Sequence, residues 1–344
     1  MHQLLIDLFL FLEPHLRKIE LTDAMKKFYD GTLVVLLMLV HDFPTFLAAY
    51  SLSFCNVIPE NCVQLRNVIL SALPKGIPMH DPIERSFDIS NLPEISIAPL
   101  ILSDVTGPLA SFKVSSNHLF VHMMCTFLFV FYAYDVYKSH HQPFIQFFQS
   151  DLDGYLSKQQ PADFLTSMVG HLRKDGKNEL DAPKVNSLVL YVGMQGLVRL
   201  QNEQIESGLG RSPEIEVFQQ LMKLDDHARY ISLNAIANQL RYPSSHTHYF
   251  SCVMLYIFNE TKEEAVKEQI TRVLLERIIT QRPHPWGLLV TFIELIKNSK
   301  YEFWSHPFTR CSTDIEAVFE NVARSCMVPT PKTILAGAGV EQQA

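Results

Sequence analysis

DDHARYISLNAIANQLRYPSSHTHYFSCVMLYIF, from Asp225 to Phe258, carries two apolar stripes separated by a turn. In the first, Leu233, Ile236, Ala237 and Leu240 recur at i, i+3, i+4 and i+7; in the second, Phe250, Val253, Met254, Ile257 and Phe258 repeat the spacing. That period places each set on one side of an α-helix, whereas a half-buried strand would alternate every second residue. Neither helix can bury its stripe alone, so the stretch predicts helix packed on helix.

The same reading extends toward the C-terminus. Ile270, Val273, Leu274 and Ile278 form the next stripe, then Leu288, Leu289, Phe292, Ile293 and Ile296 after Pro285, and Ile315, Val318, Phe319 and Val322 the last. Upstream, Pro213 suits a first helical turn ahead of Ile215, Phe218, Leu221 and Met222. Val185, Leu188, Val189, Val192 and Leu197 make a stripe that tolerates Gly193 and Gly196, two positions that permit close helix packing. Helical period is also present at Leu152 and from Phe164 to Leu172.

Nearer the N-terminus, the Thr22 hydroxyl can cap a helix through Met25, Phe28, Leu33, Leu36, Leu37 and Val40, punctuated by Phe43-Pro44. Shorter helices follow through Phe46, Leu47 and Tyr50, and through Leu65, Val68, Ile69 and Leu73. Pro74, Pro78, Pro82, Pro93 and Pro99, with Pro108 soon after, deny the next segment a regular element and predict an ordered connector. Met1 to Leu12 is apolar but lacks the basic start and small-residue cleavage site of a signal peptide. It reads as a surface helix, and opening without a capping residue suggests a piece of a longer chain.

The expected fold is all-α, a HEAT-like helical-repeat array (α-solenoid) of helices 12–20 residues long, inferred from helix spacing because no clean sequence repeat stands out. Residues 1–113 form an N-terminal helical part with its Pro-rich connector, and 150–328 a C-terminal helical-repeat part of the same domain. Residues 329–344 are a tail without core-forming content, and 114–149 are an atypical apolar insertion. Leu119 to Tyr134, LFVHMMCTFLFVFYAY, approaches the length of a membrane span, but its surroundings do not support one. Its aromatic richness and the Lys113-Val114 and Gln142 boundaries fit a retained intron over 114–142, with a genuine lineage-specific helix as the alternative reading.

Composition narrows the function. The 344 residues hold 29 Lys+Arg against 36 Asp+Glu, a net charge of −7, which lacks the cationic excess that phosphate neutralisation requires. Six cysteines without CxxC spacing read as reduced thiols of a cytoplasmic or nuclear protein. His246-x-His248 is not the i, i+4 histidine pair of a helical zinc site and, with Cys252 following, has no second ligand pair nearby, and Asp225-Asp226 and Glu263-Glu264 stand where helices begin, complementing the dipole. No phosphate loop, dinucleotide fingerprint or nucleophile elbow is present, so no catalytic, cofactor or metal residue is assigned. The turns Arg241-Tyr242-Pro243 to His248 and Arg282-Pro283-His284-Pro285-Trp286 combine Arg with aromatics, types enriched at interface hot spots. Arg241, Tyr242, His246, His248, Arg282 and Trp286 are therefore the candidate partner-binding residues. The competing reading has the aromatics as wedges between helices.

Three blocks carry a family resemblance: His41 to Pro74, Asp225 to Phe258, and Glu268 to Asn298 (EQITRVLLERIITQRPHPWGLLVTFIELIKN). Together they resemble the carboxy-terminal domain of the family of general negative regulator of transcription subunit one, the scaffold of the carbon-catabolite-repression/NOT (CCR-NOT) deadenylase complex. The resemblance implies a non-catalytic HEAT-like scaffold that docks the smaller NOT-box subunits and short peptides of RNA-bound, Nanos-like repressors. It implies a place in mRNA deadenylation, decay and translational repression, with no direct nucleic-acid contact. An RNA-binding helical-repeat protein is the alternative. A cationic groove would favour the alternative, and an apolar, aromatic surface the scaffold.

Overall fold

The computed structural model describes residues 1–18, 20–84, 88–110, 151–157, 163–174, 177, 179–203, 212–311 and 313–327. The stretch from Leu119 to Tyr134 and the tail from 329 to 344 lie outside them. The N-terminal part contains α1 (His2–Leu16), α2 (Asp23–Asp42), α3 (Pro44–Ala49), α4 (Ser51–Val57) and α5 (Val63–Leu70). A connector with two 3-10 turns, Ile89–Asn91 and Pro93–Ser96, leads to the single turn α6 (Gly107–Ala110). Then follow α7 (Asp163–His171), α8 (Ala182–Glu203), α9 (Pro213–Met222) and α10 (Asp226–Ala237), and next α11 (Ser245–Glu260), α12 (Glu264–Ile278), α13 (Trp286–Lys297) and α14 (Thr313–Met327). Among the described residues the extended pairing is one isolated antiparallel bridge, Arg173 with Leu180. The chain is all-α, as expected.

Capping residues start these helices where the sequence places them. Thr22 accepts from the Met25 amide, Ser212 from Ile215 at 3.3 Å ahead of Pro213, and Asp225 from Ala228 at 3.1 Å. Ser244 accepts from Thr247 at 3.3 Å to open α11. Each such bond satisfies an amide that the helix cannot, worth about 1 kcal/mol. α3, α4 and α5 fall below the expected 12–20 residues. Phe43 to Val57 divides at Tyr50 into α3 and α4, of six and seven residues, so each buries only a small patch.

Alternate helices stack: α8 on α10, α10 on α12, and α11 on α13, the arrangement of a helical-repeat array. The α8–α11 contact is close because Gly193 and Gly196 have no side chain. A Cβ at Gly193 would stand 2.2 Å from Phe250 Cζ, and one at Gly196 2.3 Å from Tyr249 Oη. Buried apolar side chains gather into two cores. The larger runs from α7 to α14 and takes in Leu52 of α4 and Leu109 of α6, and the smaller joins Leu5, Phe9, Leu36, Leu47, Phe54 and Leu65 of the N-terminal helices. Contacts of α4 with α8 and of α5 with α12 bring the two cores together.

Candidate docking surface

The turn between α10 and α11 spans this junction. Arg241 follows α10, is 3% exposed, and reaches the N-terminal part: its Nη1 donates to Ala48 O at 2.9 Å and to Ser51 Oγ at 2.7 Å. Burial, which strips water from the guanidinium, lowers its pKa. Tyr242 belongs to the smaller core although it comes from the C-terminal part, and burial raises its phenol pKa. The Arg241 guanidinium carbon lies 5.5 Å from the Tyr242 ring centre. Thr247, in the first turn of α11, donates its hydroxyl to Tyr242 O at 2.7 Å and closes the turn. His246 is buried, and loss of water together with the Arg241 charge pushes its pKa down to about 3, so the ring is neutral near pH 7. His248 is half-buried, with Nε2 3.7 Å from Cys252 Sγ.

The second turn, between α12 and α13, meets the first. Gly287 N donates to Arg241 O at 2.6 Å, and a Cβ on Gly287 would approach Leu240 C to 2.9 Å. Trp286 is 5% exposed and donates Nε1–H to His80 O at 2.8 Å, pinning the connector against α13. Arg282 is exposed. The two turns therefore do lie together, but the expectation of an exposed docking edge is corrected for Arg241, Tyr242, His246 and Trp286. Arg241 and Trp286 hydrogen-bond across the junction of the two parts, and Tyr242 and His246 are buried beside them. Exposure remains at Arg282 and in part at His248.

Two further arginines complete a polar seam here. Arg66 donates Nε–H to Pro59 O at 3.1 Å and its Nη2 to Cys55 O at 3.2 Å, with a further bond to Ile58 O. Arg277 donates Nη2 to Asn234 Oδ1 at 2.8 Å and Asn238 Oδ1 at 2.7 Å. Asn67 crosses from α5 to donate to Arg277 O at 2.7 Å and Thr280 Oγ1 at 2.9 Å. Burial, followed by repulsion from Arg66, pushes the Arg277 pKa down to about 10. Both guanidinium groups are held by neutral oxygens of their own part, and the bonds that cross between the parts here come from Asn67. A signal for them exists in the sequence: Arg66 and Arg277 sit inside apolar stripes, beside Leu65 and Ile278, where a cation must be buried with the stripe.

Beside the first turn lies a groove of about 150 Å³, bordered by Ala49, Lys75, Ile77, Ile97, Leu100 and Tyr242 among others. The sequence reading treats this connector only as a crossing segment. Among the described residues no cluster of three or more His, Cys, Asp or Glu is placed to hold a metal ion, and no helix is long and apolar enough to cross a membrane. Asp225 works as a cap, and Glu264, in the first turn of α12, pairs with His306 Nδ1 at 3.0 Å.

The family described as Not1, CCR4-Not complex component, matches residues 1–122 and 135–323. The C. elegans protein named CCR4-NOT transcription complex subunit let-711 is 38% identical over 332 residues, covering 94% of this chain and 11% of its own length. General negative regulator of transcription subunit 1 from Schizosaccharomyces pombe is 36% identical over 316 residues, 89% of this chain and 13% of the relative. The chain thus spans a small fraction of the curated relatives it matches. Among solved structures, the NOT1 superfamily homology domain from Chaetomium thermophilum superposes with a TM-score of 0.76 at 24% identity, over 94% of this chain and 60% of that one. A structure titled Not1 C-terminal domain in complex with Not4 gives 0.71 at 24% identity, over 93% and 57%. At that identity the likeness is one of fold.

Proposed function

The chain belongs to the Not1 family of CCR4-Not complex components, and on that premise we propose that it is a non-catalytic docking platform for other subunits of a deadenylase complex. The observation that carries this reading is the family match, which runs through both helical parts, on a fold shared with a Not1 domain solved together with Not4. The smaller NOT-box subunits are the primary partners, and short peptides of Nanos-like repressors are further clients. The work is done in cytoplasm and nucleus, in poly(A) shortening, mRNA decay and translational repression. Residues 1–113 and 150–328 act as one docking unit.

The surface supports protein contact over RNA. Arg66, Lys184, Arg229, Arg241 and Arg277 are buried, which withdraws five of the 29 cationic side chains from a chain already at −7. Leu4, Leu10, Phe11, Phe28, Val35 and Met38 of α1 and α2 are exposed, an apolar surface of the kind that protein partners cover. Co-purification with the smaller NOT-box subunits tests the reading: a stable complex that elutes as one species, without nuclease activity of this chain, is the expected result. Absence of any such complex with folded chain overturns it.

A further inference from the structure

We propose that the groove beside Tyr242 receives the phenylalanine ring of an extended, acidic peptide segment, an inference that rests on the docking reading above and gives it a site. The volume is the first argument. About 150 Å³ walled largely by apolar side chains matches a cavity known to hold a benzene-sized guest. Tyr242 and Ala49 are buried in the wall, which fixes its shape before anything binds.

The rim is the second. Ile97 and Leu100 are 58% and 55% exposed, a pair of large apolar side chains beside the groove that a bound segment would cover. The connector here is held at both ends, Ile97 O accepting from Ser245 N and Leu102 N donating to Ala49 O, each at 2.9 Å. Between them, residues 98–101 make no backbone-to-backbone hydrogen bond among the described residues. Pro99 has no N–H to give, but the other peptide groups of this stretch, beside side chains that line a pocket, suit a segment laid alongside it.

Charge selects the segment. Lys75 borders the groove, is exposed, and makes no ion pair among the described residues. Glu94, the carboxylate of the lining, is 8% exposed and bonded to His80 Nε2 at 3.2 Å, so little of it faces an incoming chain. At physiological salt the screening length is about 8 Å, so the ammonium at the rim governs the approach more than the net charge of the whole surface. Asp or Glu next to the ring is therefore the complementary neighbour.

The test uses acetyl-Gly-Ser-Phe-Asp-Glu-Ser-Gly-amide as probe, titrated into the full chain carrying labelled Ile and Leu methyl groups. Versions with Ala for Phe, and with Lys-Lys for Asp-Glu, are the controls. The probe is expected to move the Ile77, Ile97 and Leu100 resonances saturably, and the Ala version not to. Lys75→Glu weakens the probe by about fivefold, the scale of one exposed ion pair, and improves the Lys-Lys version. Ala98→Trp, placed at an exposed position of the lining, abolishes binding. Methyl groups unmoved at about 1 mM probe, a range in which even weak docking is visible, overturn the proposal. So does equal binding of the Ala version, or binding undiminished in both folded variants. Co-elution of a smaller NOT-box subunit with wild-type chain is read in parallel. A subunit retained while the probe fails overturns the groove alone, whereas loss of both overturns the docking reading as well.

Discussion

Replacing Gly193 and Gly31 each by alanine, in separate proteins, is predicted to change stability in opposite directions. Both glycines lie inside helices, α8 and α2, where alanine is favoured by about 1 kcal/mol because it costs less backbone entropy. At Gly31 nothing lies within 4 Å of the added Cβ, so that gain is realised and Gly31→Ala stabilises by about 1 kcal/mol. At Gly193 the added Cβ meets Phe250 Cζ at 2.2 Å, Cε2 at 2.7 Å and Cε1 at 3.0 Å. The ring is fully buried and packs against Phe218 and Tyr249, so it cannot swing aside. Separation to ordinary contact needs a shift of about 1.5 Å, which places the overpacking cost near the top of the 1–3 kcal/mol range. Subtracting the helix gain leaves Gly193→Ala destabilised by about 2 kcal/mol. Urea unfolding followed by circular dichroism measures both. A Gly193→Ala protein as stable as Gly31→Ala would refute the close α8–α11 approach.

Tyr242→Ala is predicted to destabilise by about 3–5 kcal/mol, the cost of emptying a large aromatic site in a core, as read from the denaturation midpoint; a change below about 1 kcal/mol would return Tyr242 to the surface. Because the His246 pKa of about 3 lies below the ordinary 6.5, the unfolded chain takes up the proton first. Stability therefore rises with pH between 3 and 6.5 and is lost as pH falls through that window, at about 1.4 kcal/mol per unit from this group. His246→Gln should flatten unfolding-versus-pH curves there by one proton's slope, and an unchanged slope would refute the buried neutral ring. The family match leaves 123–134 uncovered, inside the segment 114–142 that the sequence reads as an insertion. A chain lacking 114–142 is expected to keep its circular dichroism and its unfolding midpoint, and loss of cooperative unfolding would contradict the insertion.

Helices and their starts were legible because their causes are local. Thr22, Ser212 with Pro213, and Asp225 announce first turns from positions within three residues of the amides they serve. The break between α3 and α4 was not legible, since Tyr50 makes it without Gly or Pro and both helices are too short to display a period. The candidate site was legible only as a place. Two turns rich in Arg and aromatics do meet, but the side chains point inward, and the reason is nonlocal: the acceptors of Arg241 lie on Ala48 and Ser51, about 190 residues earlier. An arginine after a helix resembles a dipole partner or a hot spot equally well until the carbonyls it reaches are known. The groove had no sequence signal, because its lining is drawn from α3, the connector and the α10–α11 turn, and the Pro-rich connector shows no period to read.

The proposed docking role requires that this fold bind protein partners and not RNA. Isothermal titration of the purified chain against a smaller NOT-box subunit, and separately against a poly(A) oligonucleotide, tests it most directly. A saturable complex with the subunit and no heat of binding with the RNA at physiological salt are expected. Saturable RNA binding that weakens steeply with salt, with no complex formed by the subunit, would contradict it.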